Sequence, residues 1–160
     1  MKENVTALVA EIVSALREDE KMTLRLALAI SEFVKAKAEE AGVNAVVALS
    51  DAGGNPVSVQ CMDDSFIASY DIALNKAFTV VSLKMSTKDL KPLAQPGGSL
   101  YGIQFTNNGR MVVFGGGVPL FGRDGRVIGG LGVSGGTEEQ DTYLADVGGE
   151  VFSKCINNLI

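Results

Sequence analysis

The sequence predicts an α+β domain in which helices flank an antiparallel sheet. Apolar residues recur at spacings of three and four near both termini and once in the middle of the chain, and apolar runs broken by glycine-rich turns occupy the stretches between them. At 160 residues the chain fits one domain large enough to bury a core.

Residues 4–17 read as a short amphipathic helix, with Val5, Leu8, Val9, Ile12, Val13 and Leu16 forming one stripe. The charged run Glu18-Asp19-Glu20-Lys21 interrupts that pattern and is the only plausible boundary, separating residues 1–21 from a domain over residues 22–160. A second helix follows Thr23 as its cap, turns Leu24, Ala27, Ile30, Val34 and Ala38 inward, and ends near Gly42. Val43 to Ser50 is an apolar strand, Asp51 to Asn55 a hairpin turn, and Pro56 to Met62 the returning strand with Val57, Val59 and Cys61 on one face.

A third helix spans about Ser69 to Lys84 with Ile72, Ala73, Ala77, Val80 and Val81 inward, and Ser86 or Thr87 caps a short turn toward Leu93. Leu100 to Phe105 and Arg110 to Phe114 are expected to pair as a hairpin around Thr106-Asn107-Asn108-Gly109. Val118 to Phe121 and Val127 to Ser134 form the next hairpin. The last helix starts at Thr137 and packs Leu144, Val147, Val151, Phe152, Cys155 and Ile156.

Composition excludes several classes of function. The net charge is −5 and the basic residues are scattered, so no stripe exists to neutralise nucleic-acid phosphates. No charge-free apolar run reaches the length of a membrane span, and no secretory signal opens the chain, so a cytoplasmic protein is expected. Its two cysteines, Cys61 and Cys155, are then buried, reduced thiols. Histidine is absent. That excludes Ser-His-Asp and Cys-His mechanisms and histidine-ligated haem, and the two distant cysteines have no zinc-ligand spacing.

The densest glycine lies in Gly115-Gly116-Gly117-Val118-Pro119-Leu120 and in Ile128-Gly129-Gly130-Leu131-Gly132-Val133-Ser134-Gly135-Gly136-Thr137. Glycine weakens a strand, so this density implies that another strand, a helix, a subunit or a ligand approaches the backbone closely. With Asp51-Ala52-Gly53-Gly54-Asn55-Pro56 and Asp71-Ile72-Ala73-Leu74-Asn75-Lys76-Ala77, these residues resemble the GlcG/HbpS/PduO C-terminal domain family from about Met22 onward. The resemblance implies a profilin-like arrangement of central sheet and flanking helices, an association with haem or another tetrapyrrole such as cobalamin, and a link to bacterial microcompartments.

Each candidate site has two readings. Gly115, Gly116 and Gly117 either leave bare backbone for a flat ligand or let a helix pack tightly on the sheet. Ser134, Gly135, Gly136 and Thr137 precede a helix and can hold an anion, although Thr137 with Gln140 makes a capping box and Glu138, Glu139 and Asp141 repel anions. The string from Gly130 to Gly135 fits GxGxxG but has no second parallel strand to carry a dinucleotide site. Lys76 is a candidate catalytic amine paired with Asp63 or Asp141, and otherwise snorkels its charge to water. Any haem must use Met62, Met85, Met111, Cys61, Tyr70, Tyr101 or no protein ligand.

Three functions follow as expectations: a tetrapyrrole-binding accessory domain, a homo-oligomeric scaffold with no cofactor, or a small-molecule enzyme using Lys76 and a carboxylate. The stripe of residues 1–18 resembles an encapsulation peptide that docks on a microcompartment shell protein, which places the domain in the lumen. It equally suits a helix packed on its own domain or on a neighbouring subunit.

Overall fold

The computed structural model describes residues 2–17 and 19–158; of the charged break, Glu18 lies outside them. The elements run α1 (Lys2–Ala15), α2 (Leu24–Glu40), β1 (Val46–Asp51), β2 (Pro56–Cys61), α3 (Ile67–Leu83), α4 (Thr87–Leu93), β3 (Gly117–Phe121), β4 (Val127–Ser134) and α5 (Glu138–Ile156). The four strands form one antiparallel sheet in the order β2-β1-β4-β3, so the fold is α+β as expected.

Strand alternation assigns the two faces of the sheet. Val47, Leu49, Leu120, Leu131 and Val133 point into the main core, where α2 and α5 cover them. Val46 and Ala48 point the other way, onto Ala73 and Ala77 of α3. The register places Gly130 opposite Ser50 and Gly132 opposite Ala48, on the α3 side. A Cβ on Gly132 would collide with the Ala73 carbonyl, so the missing side chain is what lets α3 lie against β4. The GxGxxG-like string is therefore a helix-packing surface on a central strand.

Helix α1 lays its stripe on α2 and α5, with Ile12 and Ala15 buried in the main core and Val5, Leu8, Val9 and Leu16 packed at its edge. Val13, expected in the stripe, is largely exposed, as is Leu24 at the start of α2. The caps form where expected: the Thr23 hydroxyl accepts the Leu26 N–H, and Ser86, the first of the two candidates, accepts the Asp89 N–H. In the β1–β2 turn, Asp51 Oδ1 accepts the N–H groups of Gly53 and Asn55.

Two further expectations fail. Residues 100–114 do not form a hairpin. The N–H groups of Tyr101, Ile103, Phe105, Thr106, Gly109 and Arg110 are used locally, in short turns that include 3₁₀ helices at Ile103–Phe105 and Asn107–Gly109. Positive φ at Gly102, Asn107, Asn108 and Gly109 breaks any extended run. The segment is held instead by α3: the Thr79 hydroxyl accepts the Val112 N–H, and the Arg110 guanidinium stacks 3.6 Å from the Phe78 ring centroid. The second failure concerns Cys61, which is exposed while Cys155 is buried. Cys61 ends an edge strand, where no outer neighbour covers it. Among the described residues no helix is long and apolar enough to cross a membrane.

Candidate functional site

Lys76 organises the site. It lies on the sheet-facing side of α3 between Ala73 and Ala77, and its side chain is 0% exposed. Its ammonium donates to the Val133 carbonyl at 2.7 Å and to Asp141 Oδ2 at 3.1 Å, and sits 4.9 Å from the Phe114 ring centroid. The expectation that this lysine snorkels to water is thus overturned. The glycines of β4 bring α3 so close that the stem is enclosed, and the counter-charge is supplied inside. Of the two candidate carboxylates Asp141 is the partner. Asp63 lines a groove with Cys61 and Met62 beside α1.

Both glycine segments converge on this pair. Gly116 has φ +112°, and a Cβ there would stand 2.6 Å from Lys76 Nζ. The Gly115 N–H donates to Glu138 Oε1 at 3.0 Å, the Gly117 N–H to the Thr87 hydroxyl at 2.9 Å, and the Gly136 N–H to Asp141 Oδ1 at 2.9 Å. Thr137 and Gln140 form the expected capping box at the start of α5. The donors that an anion would use here are largely taken by the domain's own carboxylates.

The electrostatics follow from burial. Desolvation lowers the proton affinity of Lys76, opposed by the Asp141 charge, and raises that of Asp141, opposed by Lys76. Glu138 is held below the ordinary glutamate range, first by the Gly115 N–H and then by Lys91, whose ammonium lies 2.6 Å from Oε2. Every charge in the cluster has a partner. Lys76 is enclosed by protein and ties α3, the end of β4 and the start of α5 together.

Next to the pair opens a cleft of about 240 Å³, lined by Phe66, Ala68, Ser69, Ile72, Phe114, Ser134, Gly135, Gly136, Glu138 and Asp141. The Ser134 hydroxyl donates to Ser69 Oγ at 3.1 Å on its buried side. At its rim Phe66 is 70% exposed, and the neighbouring Ile67 is 97% exposed. Phe66 and Phe114 are the site residues that sequence reasoning did not single out. The available signal was a Phe-Ile pair opening a helix with no side-chain cap. A wider hollow of about 660 Å³ lies elsewhere, between residues 19–22, 51–53 and the β3–β4 turn, and its charged wall does not reach the Lys76 pair.

The wall of the cleft offers no side chain of the kinds that ordinarily ligate haem iron. None of its lining residues is Met, Cys or Tyr. None of the candidate iron ligands lines the cleft: Met111 is buried, Met62 Sδ accepts the Ala45 N–H, Met85 is half-buried, and Cys61, Tyr70 and Tyr101 are exposed. Among the described residues no group of three or more His, Cys, Asp or Glu is placed to hold a metal ion.

Comparison with known proteins agrees with this architecture. The chain is 47% identical over 133 residues to an uncharacterised 15.0 kDa protein from the dhaT–dhaS intergenic region of Citrobacter freundii, covering 83% of this chain and 93% of that one. It is 41% identical over 110 residues to the corrinoid adenosyltransferase PduO of the same organism, covering 69% of this chain but only 32% of PduO. Among solved structures, protein ORFY of Klebsiella pneumoniae superposes with a TM-score of 0.79 at 45% identity, covering 82% of this chain and 90% of that one. A PduOC–haem complex superposes with a TM-score of 0.73 at 38% identity, covering 76% and 88%. Residues 22–149 match the family model described as haem degrading protein HbpS-like, and the chain belongs to that family.

Proposed function

We propose that this chain is an accessory domain that binds a tetrapyrrole-like flat ligand, haem before cobalamin, in the cleft between Phe66 and Phe114. The observation that carries the reading is an open apolar cleft with exposed aromatic residues at its rim and bare glycine backbone on one wall. A haem-bound relative of the same fold supports haem as the first ligand to try. Of the predicted binding residues, Ser134, Gly135 and Gly136 line the cleft, whereas Gly115 to Gly117 and Thr137 lie outside its lining, with Gly116 and Gly117 packed against Lys76. Lys76 acts as a structural charge and not as a reacting amine. The adenosyltransferase activity named for PduO is not carried over, because this chain spans about a third of that protein.

The test is an absorbance titration of the purified chain with haemin, with cobalamin in parallel. A saturable Soret shift at fixed stoichiometry is expected. A featureless titration that matches a control protein overturns the reading.

A homo-oligomeric scaffold is the second reading, favoured by the near-complete exposure of Ile67 beside Phe66, since contiguous apolar surface of this kind marks partner contacts. Light scattering checks it: one assembly size, unchanged by added haemin, supports the scaffold, and a monomer overturns it. Delivery into a microcompartment through residues 1–18 rests on the resemblance of α1 to encapsulation peptides. Because Ile12 and Ala15 lie in the main core, α1 must then leave the domain or dock through its outer face, where Val13 is exposed. Residues 1–18 fused to a fluorescent reporter should form shell-dependent puncta, and a diffuse signal in a compartment-forming host counts against delivery.

A further inference from the structure

We infer that the cleft recognises the ring of its ligand and not the metal: the macrocycle stacks on Phe114 and against Phe66, and no protein atom ligates its centre. This rests on the tetrapyrrole reading above and deepens it.

The first ground is chemical. Haem iron is ordinarily held by His, Cys, Met or Tyr, and the cleft wall contains none of these. The side-chain oxygens that remain are engaged. Glu138 accepts the Gly115 N–H on one oxygen and the Lys91 ammonium on the other. Asp141 accepts the Gly136 N–H and the Lys76 ammonium. The Ser134 hydroxyl donates to Ser69. Moving Asp141 or Ser134 onto a metal would unpair a buried group, and moving Glu138 would give up its Gly115 or Lys91 contact.

The second ground is the environment of Phe114. The Lys76 ammonium lies 4.9 Å from the ring centroid on the protein side, and Lys76 has no exposed surface. Phe114 itself keeps 37% of its surface open to solvent. A cation against one face draws π density toward itself and leaves the far side better suited to an electron-rich planar partner. Phe66 lines the same cleft with most of its surface open and offers a second aromatic surface to the ring. The wall's two carboxylates are neutralised by Lys76 and Lys91, and the site therefore reads shape and π surface more than charge.

The experiment titrates the full chain with haemin and with metal-free protoporphyrin IX, followed by Soret absorbance and by porphyrin fluorescence. Both rings should saturate at the same stoichiometry, with affinities within about threefold of each other. Phe66→Ala and Phe114→Leu should each weaken both rings about tenfold and by the same factor. Phe66 is exposed, so its variant keeps the test valid even if Phe114→Leu loosens the Lys76 pair. Saturable binding of haemin with none of the metal-free ring overturns the inference and leaves the tetrapyrrole reading standing, whereas wild-type affinity in both variants overturns the inference and moves the tetrapyrrole out of this cleft. Failure of both rings to bind the unmutated chain overturns the reading and the inference together.

Discussion

Lys76 Nζ lies 3.1 Å from Asp141 Oδ2, and the two side chains are 0% and 5% exposed although 65 residues separate them in sequence. A buried pair of this kind adds little net stability over a well-packed apolar pair, yet removing one partner leaves an uncompensated charge. Lys76→Met and Asp141→Asn should each cost about 3 kcal/mol. The double variant restores neutrality, and its Asn can still accept the Gly136 N–H, so its loss should fall short of the sum by about 2 kcal/mol. Urea unfolding of the four proteins measures this coupling, and strict additivity would show that the pair is not a unit.

Glu138 predicts an acid-sensitive contribution. Its folded-state value is depressed below the ordinary 4.5 by the Gly115 N–H and Lys91, so the unfolded chain binds the proton more readily. The stability it contributes is fully present above 4.5 and is lost as pH falls through the depressed value. The glutamate is partly open to water, so the effect is modest. Melting temperatures of wild type and Glu138→Gln, compared down the acid range, should converge as pH falls; a constant gap would remove Glu138 as the cause.

The close approach of α3 to β4 predicts that Gly132→Ala is destabilising by about 2–3 kcal/mol, because the new methyl meets the Ala73 carbonyl and not a movable side chain. Gly125, with open space around it and a positive φ of 78°, serves as the control. Its alanine variant should lose only about 1 kcal/mol, from backbone strain. Chemical denaturation separates the two, and equal losses would mean that packing against α3 is not what Gly132 provides.

Lys84 ends α3 in the left-handed region at φ 56°, where glycine is the usual residue. It is exposed, and among the described residues it makes no ion pair. Lys84→Gly should raise stability by about 0.5–1 kcal/mol, read as a higher urea midpoint with an unchanged slope. A lower midpoint would show that the side chain does more than tolerate the turn.

Much of the fold was legible because its signals are local. The spacing of Leu26, Ala27, Ile30 and Val34, the Thr23 and Thr137 caps, and the Asp51 turn each depend on residues within a few positions of one another. The hairpin expected at residues 100–114 failed because apolar content alone does not distinguish an extended arm from a series of short turns pinned to a neighbouring helix by Thr79 and Phe78. The glycines were legible as a sign of close approach, but not of what approaches. Gly132 serves α3, whereas Gly116 makes room for an ammonium.

By itself the sequence determined the α+β class, the order of the elements outside residues 100–114, the absence of histidine chemistry and the family, since each depends on local periodicity, composition or ordered motifs. Only the tertiary structure decided that Lys76 is buried and not snorkelled, that Asp141 and not Asp63 is its partner, and that Phe66 and Phe114 face one cleft. The physical reason is distance along the chain. Desolvation, ion pairing and cleft shape arise from groups that α3, β4 and α5 bring together from separate segments, and nothing in the local pattern encodes which of them meet.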